Sequence, residues 1–382
     1  MPYGGRHSTN AGLLDGLDST DFILAADLTT TVGDPGADTK VPSEQAVREA
    51  LAAAGGGGST GAPNLLINPE FAIDQRGAGA AREVANDGYA MDRWYLLVNS
   101  AGIDVERIAP GLHTSTHAGR VTTSFAGTRG GVAQIIESLT SRPYRGRTLQ
   151  LQARVRHAGA VTLHWAILEW TGLADSVVSD VVNDWNSGTY TAGHFFASPN
   201  LVVTATGTQA VPANTWTALS GSGTVSTSCH NLIVFLWTED PGAFDVTEAD
   251  LFAGAAPRTW TPPDPADNLQ RCQRFYEKSW DIDVAPGDAA AGFNGGIQFY
   301  SAANISGYLL GSFQYKTRKR VTPTITLYDG QGNIGKIYYY NTGHNQTGIV
   351  DGIGTAGARV MTDNTTPNKL GFAFHFTAES EL

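Results

Sequence analysis

Residues 256–279 read APRTWTPPDPADNLQRCQRFYEKS and separate two regions that are rich in strand patterns. The first half contains four prolines, Pro257, Pro262, Pro263 and Pro265. Because proline can neither continue a helix nor lie in a central strand, this half is expected to run extended. The second half, from Asn268 to Ser279, has apolar residues at helical spacing: Leu269, Cys272, Phe275 and Tyr276. This pattern predicts a short docking helix between two β-rich modules.

The composition indicates an all-β, turn-rich protein. The 382 residues include 45 Gly and 17 Pro, and only 16% of them are charged. This length suits two modest domains and an appendage. A net charge of −11 argues against a nucleic-acid partner, because phosphate binding depends on Lys and Arg. No segment approaches the roughly 20 apolar residues that span a bilayer, so membrane insertion is not expected.

Cys229 and Cys272 are the only cysteines, and the N-terminus MPYGGRHSTN lacks the apolar core of a signal peptide. Synthesis in the cytoplasm is therefore expected, where two buried thiols are favoured over a disulfide bridge. The sequence contains no metal-ligand spacing, so neither a metal nor a cofactor is predicted.

Residues 1–40 are rich in Gly, Asp and Thr, and they cannot bury enough apolar surface to offset the entropy lost on ordering. They are either a flexible tail or a segment that lies against the surface of another protein. The apolar residues available for such an attachment are Leu13, Leu14, Leu17, Phe22 and Ile23.

Residues 41–63 predict a short helix followed by a Gly-rich linker. Ser43 is a suitable N-cap, and Glu44 places negative charge in the first turn. The helix carries a narrow apolar stripe, formed by Ala46, Val47, Ala50, Leu51 and Ala54. Because a helix this short is marginal alone, the stripe predicts self-association, most simply as a homotrimer.

Residues 64–262 predict an antiparallel β-sandwich, with a jelly roll as the preferred topology. Residues 149–156 alternate apolar and polar side chains, and a second strand pattern covers residues 161–170. Further strands are expected at 201–206, 215–221 and 231–238. Strands at this spacing, separated by Gly, Ser, Asn and Pro, are typical of sandwiches.

Residues 263–279 form the joint described above, and residues 280–382 predict a second, smaller antiparallel β-sandwich. Its strand patterns occur at 296–301, 307–314, 324–328, 336–340 and 370–377. In the last of these, Phe372, Phe374 and Phe376 share one face.

Two stretches combine aromatic rings with amide, hydroxyl and imidazole groups, the combination that suits sugars. In the loop 183–200 the candidate glycan-binding residues are Trp185, Asn186, Tyr190 and His194. In the C-terminal module the candidates are Tyr338 and Tyr340. Strand alternation would bury the middle ring, Tyr339, and expose these two, or the reverse. The alternative in both stretches is that the rings only complete the core.

Several runs resemble one family, the fibre and receptor-binding proteins of tailed bacteriophages. The joint LFAGAAPRTWTPPDP with LQRCQRFYEKS resembles the connection in those proteins between a jelly-roll module and a C-terminal tip. NLLINPEFAIDQRG, GYAMDRWYLL and VTEADLFAG resemble strands of their carbohydrate-binding-like jelly roll, and LLDGLDSTDFIL resembles their attachment segments.

The resemblance implies a trimeric fibre or spike on the surface of a virion. Residues 1–40 would attach it to other virion proteins, and the distal modules would bind host cell-surface polysaccharide.

Two other functions remain open, a purely structural spacer fibre and a polysaccharide depolymerase. A depolymerase needs two carboxylates about 5–10 Å apart. The candidates are Glu137, Glu169, Glu239 and Asp240, but no spacing marks them, so the protein is predicted not to be an enzyme. A calcium ion held by acidic loops is a further option, with Glu70, Asp74, Asp87 and Asp250 as candidate ligands.

Overall fold

The computed structural model describes residues 61–123 and 125–382, and residues 62–382 form one compact unit. Strands make up 46% of the described residues and helices 6%, with antiparallel sheets, so the predicted all-β class is confirmed. The residues predicted to attach the protein and to drive its self-association lie outside the described residues: Leu13, Leu14, Leu17, Phe22, Ile23, Ala46, Val47, Ala50, Leu51 and Ala54. The homotrimer therefore stays a prediction.

The described regular structure consists of two groups of strands, two short α-helices and two 3-10 helices (Arg142–Tyr144 and Ala289–Ala291). The first twelve strands are β1 (Arg82–Ala85), β2 (Tyr89–Met91), β3 (Trp94–Val98), β4 (Gly102–Ile108), β5 (Ala118–Thr123), β6 (Gly130–Ile136), β7 (Thr148–His157), β8 (Val161–Trp170), β9 (Leu201–Val211), β10 (Thr217–Thr224), β11 (Asn231–Thr238) and β12 (Gly242–Ala253). The remaining strands are β13 (Tyr276–Lys278), β14 (Ile297–Ile305), β15 (Leu310–Gln314), β16 (Thr324–Tyr328), β17 (Lys336–Tyr339), β18 (Gly343–Asp351), β19 (Gly357–Thr362) and β20 (Lys369–Glu379). The α-helices are α1 (Ser138–Ser141) and α2 (Pro265–Gln273).

The first twelve strands form a sandwich of two six-stranded sheets. Sheet A has the order β1-β4-β5-β12-β7-β10, and sheet B has the order β2-β3-β6-β11-β8-β9. Along β7, Leu149, Leu151 and Val155 point into the core between the sheets, where they meet Val132 and Leu163 from sheet B. The period-two pattern of the sequence therefore becomes the inner face of a sandwich.

Sheet B is buried on its outer face as well, which explains why every residue of β11 is buried. Leu232, Val234 and Leu236 face the sandwich core. Phe235 and Trp237 face outward, into a second apolar cluster. The loop 171–200, between β8 and β9, supplies the cover of this cluster, including the fully buried rings of Phe195 and Phe196.

The last eight strands form sheet C, in which β20 occupies the central position. One half of β20 pairs with β14 and β17, and the other half pairs with β13 and β16. Phe372, Phe374 and Phe376 lie on its inner face in a third apolar cluster. Alternation along β20 turns His375 to the other face, where it stacks on Trp280 at a centroid distance of 4.1 Å.

The joint differs from the predicted docking helix in its second half. Helix α2 ends at Gln273, and residues 276–278 form β13, which pairs with residues 377–379 of β20. The helix also starts earlier than expected, at Pro265, because Asp264 caps it and proline is tolerated at the first helical position. Residues 274–279 have helical periodicity but do not form a helix, because residues 276–278 form backbone hydrogen bonds with β20, a strand distant in sequence.

The C-terminal residues run back from sheet C and contact the sandwich. The buried guanidinium of Arg93 pairs with Glu381, and Arg76 Nη2 lies 3.0 Å from Glu381 Oε1. Tyr89 donates its hydroxyl hydrogen to the carbonyl oxygen of Leu382 at 3.3 Å. These contacts hold residues 381 and 382, which follow β20, against Arg76, Tyr89 and Arg93 of the sandwich.

Candidate functional site

The predicted glycan-binding residues of the loop 183–200 lie on the cover of sheet B. The Trp185 ring is partly exposed, and its edge-to-face contacts with Phe195 and Phe235 have centroid distances of 5.7 and 6.1 Å. The ring therefore completes the outer cluster of sheet B and presents only part of its surface to solvent.

Tyr190 has partners within the protein on both its ring and its hydroxyl group. The hydroxyl donates to Glu239 Oε1 at 2.9 Å, and the ring centroid lies 5.0 Å from that of Phe195. Burial and the hydrogen bond to Glu239 raise the pKa of Tyr190 to about 12. The phenol therefore stays protonated and neutral near pH 7, and its O–H group already donates a hydrogen bond to the Glu239 carboxylate.

The two polar candidates of this loop are exposed. Asn186 Oδ1 accepts a hydrogen bond from Arg129 Nη1 at 3.3 Å, and the same guanidinium donates to the main-chain oxygen of Trp185. His194 has an exposed side chain, while its carbonyl oxygen accepts from Asn183 Nδ2 at 2.9 Å. The loop thus offers an amide and an imidazole to solvent beside rings that face mostly inward.

Tyr338 and Tyr340 lie on the outer face of sheet C, and the middle ring is the buried one. Tyr339 is fully buried among the phenylalanines of the third cluster. Its hydroxyl lies 2.7 Å from the Thr347 carbonyl oxygen and 2.9 Å from Asp363 Oδ2. Alternation therefore buries the middle ring, Tyr339, and leaves Tyr338 and Tyr340 partly exposed.

A third tyrosine, Tyr300, lies beside this pair and was not singled out by the sequence analysis. Its side chain is 70% exposed, and its ring stacks on Tyr340 with a centroid distance of 4.5 Å and an interplanar angle of 25°. Tyr338 approaches Tyr340 edge-on at 5.3 Å. Gln298 Oε1 accepts hydrogen bonds from Tyr340 at 2.9 Å and from Tyr300 at 3.2 Å.

Gly371 makes the stacking of Tyr300 on Tyr340 possible. It lies on β20 directly opposite Tyr300, and its carbonyl oxygen accepts a hydrogen bond from Tyr340 N at 3.2 Å. A Cβ atom at this position would lie 3.0 Å from Tyr340 Cδ2 and 2.3 Å from the oxygen of Phe299. Because Gly371 has no side chain, the rings of Tyr300 and Tyr340 can stack on each other across β20.

His344, on β18, extends the surface at the other side of Tyr338, with ring centroids 4.7 Å apart. Its Nδ1 lies 3.5 Å from Asp329 Oδ2. Burial tends to raise the pKa of Asp329, but hydrogen bonds from Asn333 and from the main-chain N–H of Asn345 hold that pKa below its usual value. The carboxylate is therefore charged near pH 7 and lies beside the imidazole.

We call Tyr300, Tyr338, Tyr340, Gln298 and His344 the tyrosine platform. Asn341 extends its polar edge, because its Nδ2 lies 3.3 Å from Asn304 Oδ1 on the exposed end of β14. Alternation in IQFYSAANI indicates that Gln298 and Tyr300 share a face, but only the pairing of β14 and β17 with β20 brings them to Tyr340. No local sequence pattern predicts that β14 and β17 pair with β20.

The carboxylates weighed as catalytic candidates do not form one cluster with the platform. Glu137 pairs with Arg274 at 2.9 Å, Glu169 accepts from Ser226 N at 2.9 Å, and Glu239 accepts from Tyr190. Within the described residues, no three His, Cys, Asp or Glu side chains are grouped so that they would hold a metal ion. No helix in the same part of the chain is long and apolar enough to cross a membrane.

No family model and no curated protein matches the sequence. Among solved structures, the enzymatically active domain of tailspike protein 4 from bacteriophage CBA120 is 12% identical, with 43% of this chain and 20% of that chain covered and a TM-score of 0.30. Xylanase 10B of Clostridium thermocellum, solved as CBM22-1 and GH10 modules with xylohexaose, is 15% identical, with 47% and 30% covered and a TM-score of 0.31. The CBM22-1 xylan-binding domain of Paenibacillus barcinonensis Xyn10C is 12% identical, with 47% and 95% covered and a TM-score of 0.27.

This chain thus spans about a fifth of the tailspike chain and three tenths of the xylanase chain. At TM-scores near 0.3, these likenesses carry no argument about what this chain binds.

Proposed function

We propose that this protein is a non-enzymatic fibre or spike of a tailed-phage virion that binds host cell-surface polysaccharide through the tyrosine platform. The observation that carries the proposal is the stacked pair of the exposed Tyr300 and the partly exposed Tyr340, whose hydroxyl groups both donate to Gln298. Flat rings joined to polar groups in this way present an apolar surface and hydrogen-bonding groups at one place.

The chemistry of the platform matches that of a sugar ring. The C–H groups of a hexose pack on the exposed face of Tyr300, and its hydroxyl groups hydrogen-bond to the amide of Gln298 and the imidazole of His344. Burial and the adjacent hydroxyl of Tyr300 raise the pKa of Tyr340 above that of a free phenol. Tyr340 therefore stays neutral and donates to Gln298 over the whole physiological pH range.

The loop 183–200 remains the second predicted contact surface. Trp185 and Tyr190 pack against the cluster on sheet B, so each ring offers less free surface than Tyr300 does. Asn186 and His194 are the exposed polar groups of this loop. We assign the main contact to the platform for this reason.

Attachment and assembly are the remaining parts of the proposal. Residues 1–40 fix the protein to other virion proteins, and the stripe of residues 46–54 joins three copies. Three platforms on one fibre then bind a repetitive polysaccharide far more tightly than one does, because the second contact benefits from a high effective concentration. The virion surface is the proposed location.

The test is binding of the full-length protein to an array of bacterial surface polysaccharides. We expect Tyr300→Ala with Tyr340→Ala to weaken binding about 30-fold, taking about 1 kcal/mol for each ring. Tyr308→Ala is the matched control, because Tyr308 is also exposed but forms no ring pair with the platform. Unchanged binding by the double variant, or loss only in Trp185→Ala with Tyr190→Ala, would contradict the assignment to the platform.

A further inference from the structure

A cavity of about 200 Å³ lies where helix α2 meets the sandwich. Its apolar wall comes from Leu65, Ile136 and Phe275, and its polar wall comes from arginines of two different segments. Arg93 belongs to the turn before β3, whereas Arg271 and Arg274 belong to helix α2 and the residue that follows it. The cavity is therefore shared by the sandwich and the joint.

Positive charge exceeds negative charge around this cavity. Three guanidinium groups line it, but Glu137 is the one carboxylate among the lining residues. Arg274 Nη2 pairs with Glu137 at 2.9 Å, and Arg93 pairs with Glu381. Within the described part of the chain, Arg271 has no carboxylate in salt-bridge range, and its Nη2 makes one long hydrogen bond of 3.4 Å to the Asn64 carbonyl oxygen.

Arg93 adds positive charge to the wall of the cavity. Its side chain is 1% exposed, and its Nε is buried with no hydrogen-bond acceptor among the described residues. This atom has no accessible surface in the cavity, so Arg93 contributes positive charge to the site and not a free donor. Burial, together with the charge of Arg93, also lowers the pKa of Arg271, while Asp267 opposes this change.

We propose that this cavity binds a small oxyanion of the phosphate class. A guanidinium presents its N–H groups in a planar fork that matches phosphate oxygens, and here Arg271 brings such a fork to a cavity whose wall also carries Arg93 and Arg274. The volume holds a tetrahedral anion with a few water molecules, each of which takes about 30 Å³. The anion is either inorganic phosphate or the phosphate group of a phosphorylated saccharide.

The bound anion would link the sandwich to helix α2, because its ligands come from both. It would therefore stabilise the folded protein in proportion to its free concentration. This site is separate from the tyrosine platform, so its test does not depend on which polysaccharide the platform binds.

The experiment compares thermal unfolding and calorimetric titration of the full-length protein in sodium phosphate and in sodium chloride of equal ionic strength, at pH 7. We expect saturable phosphate binding, and a rise in the unfolding midpoint of about 2–4 °C at ten times the dissociation constant. Glycerol 3-phosphate forms a second arm. Binding of the ester as tight as that of inorganic phosphate would assign the site to a phosphorylated saccharide, and binding of inorganic phosphate alone would assign it to the free ion.

Arg271→Gln should abolish the phosphate-dependent shift and the calorimetric signal, and Arg271→Lys should retain part of both. Arg318→Gln removes the same charge from an exposed position and should leave both intact. The phosphate-dependent difference is measured within each variant, so a lower midpoint of Arg271→Gln itself does not affect the comparison. No phosphate-specific shift and no heat in the wild-type protein, or an undiminished response in Arg271→Gln, would overturn the proposal.

Discussion

The contact between the C-terminus and the sandwich predicts that Glu381→Gln is strongly destabilising. Arg93 is almost fully buried, with its guanidinium over the ring of Phe275 at 3.7 Å, and the Glu381 side chain is 6% exposed. Removing one partner of a buried ion pair leaves an uncompensated charge and costs about 3–5 kcal/mol. Glu381 also accepts from Arg76 at 3.0 Å, so the substitution weakens two arginine contacts together.

The measurement is urea unfolding at pH 7, since urea does not screen ion pairs as guanidinium chloride does. Glu379→Gln is the matched control, because Glu379 contacts the same Arg76 at 3.4 Å but its side chain is 49% exposed. We expect a loss of about 3 kcal/mol or more for Glu381→Gln and less than about 1 kcal/mol for Glu379→Gln. Equal effects of the two substitutions, or a loss below about 0.5 kcal/mol for Glu381→Gln, would refute the reasoning.

Two further predictions concern the sandwich. Burial raises the pKa of Asp92 to about 7, so between about pH 4 and 7 the folded state binds more protons than the unfolded state, and the contribution of Asp92 to stability falls as pH rises. Urea unfolding of Asp92→Asn at pH 5 and pH 7.5 should show a smaller loss with rising pH than the wild type; an identical slope would contradict this. Gly131→Ala should lower the free energy of unfolding by more than about 2 kcal/mol, because the added Cβ would lie 2.0 Å from the main-chain oxygen of Leu236 on β11. An unchanged urea midpoint would contradict this, because it would show that β6 and β11 can move apart to make room for the methyl group.

The fold was predictable where alternation or apolar content was strong. Strand β11 has the bounds expected from the sequence, because each of its residues suits a buried strand. Strands β18 and β19 were missed, since GHNQTGIVD and GARVMT carry Gly, Asn and Asp and are strands through their pairing with each other and with β15 and β17. The helix expected over residues 274–279 failed for the same reason, because β20 competes for the backbone of residues 276–278.

The candidate site was predictable only in part. Alternation indicated that Tyr338 and Tyr340 share a face opposite Tyr339, which local geometry alone decides. Tyr300 lies about 40 residues earlier in the chain and reaches Tyr340 only because both flank Gly371 on β20. For loop 183–200, the sequence left open whether the rings of Trp185 and Tyr190 bind sugar or complete the core, and in the structure both rings pack on the outer face of sheet B.

The most direct test of the proposed function is adsorption of the labelled full-length protein to intact host cells, measured as an equilibrium dissociation constant. The proposal predicts that Tyr300→Ala with Tyr340→Ala weakens adsorption at least about 30-fold, while Tyr308→Ala binds as the wild type does. Multivalent attachment would increase the difference further. Equal adsorption by all three proteins would contradict a role of the tyrosine platform in host binding.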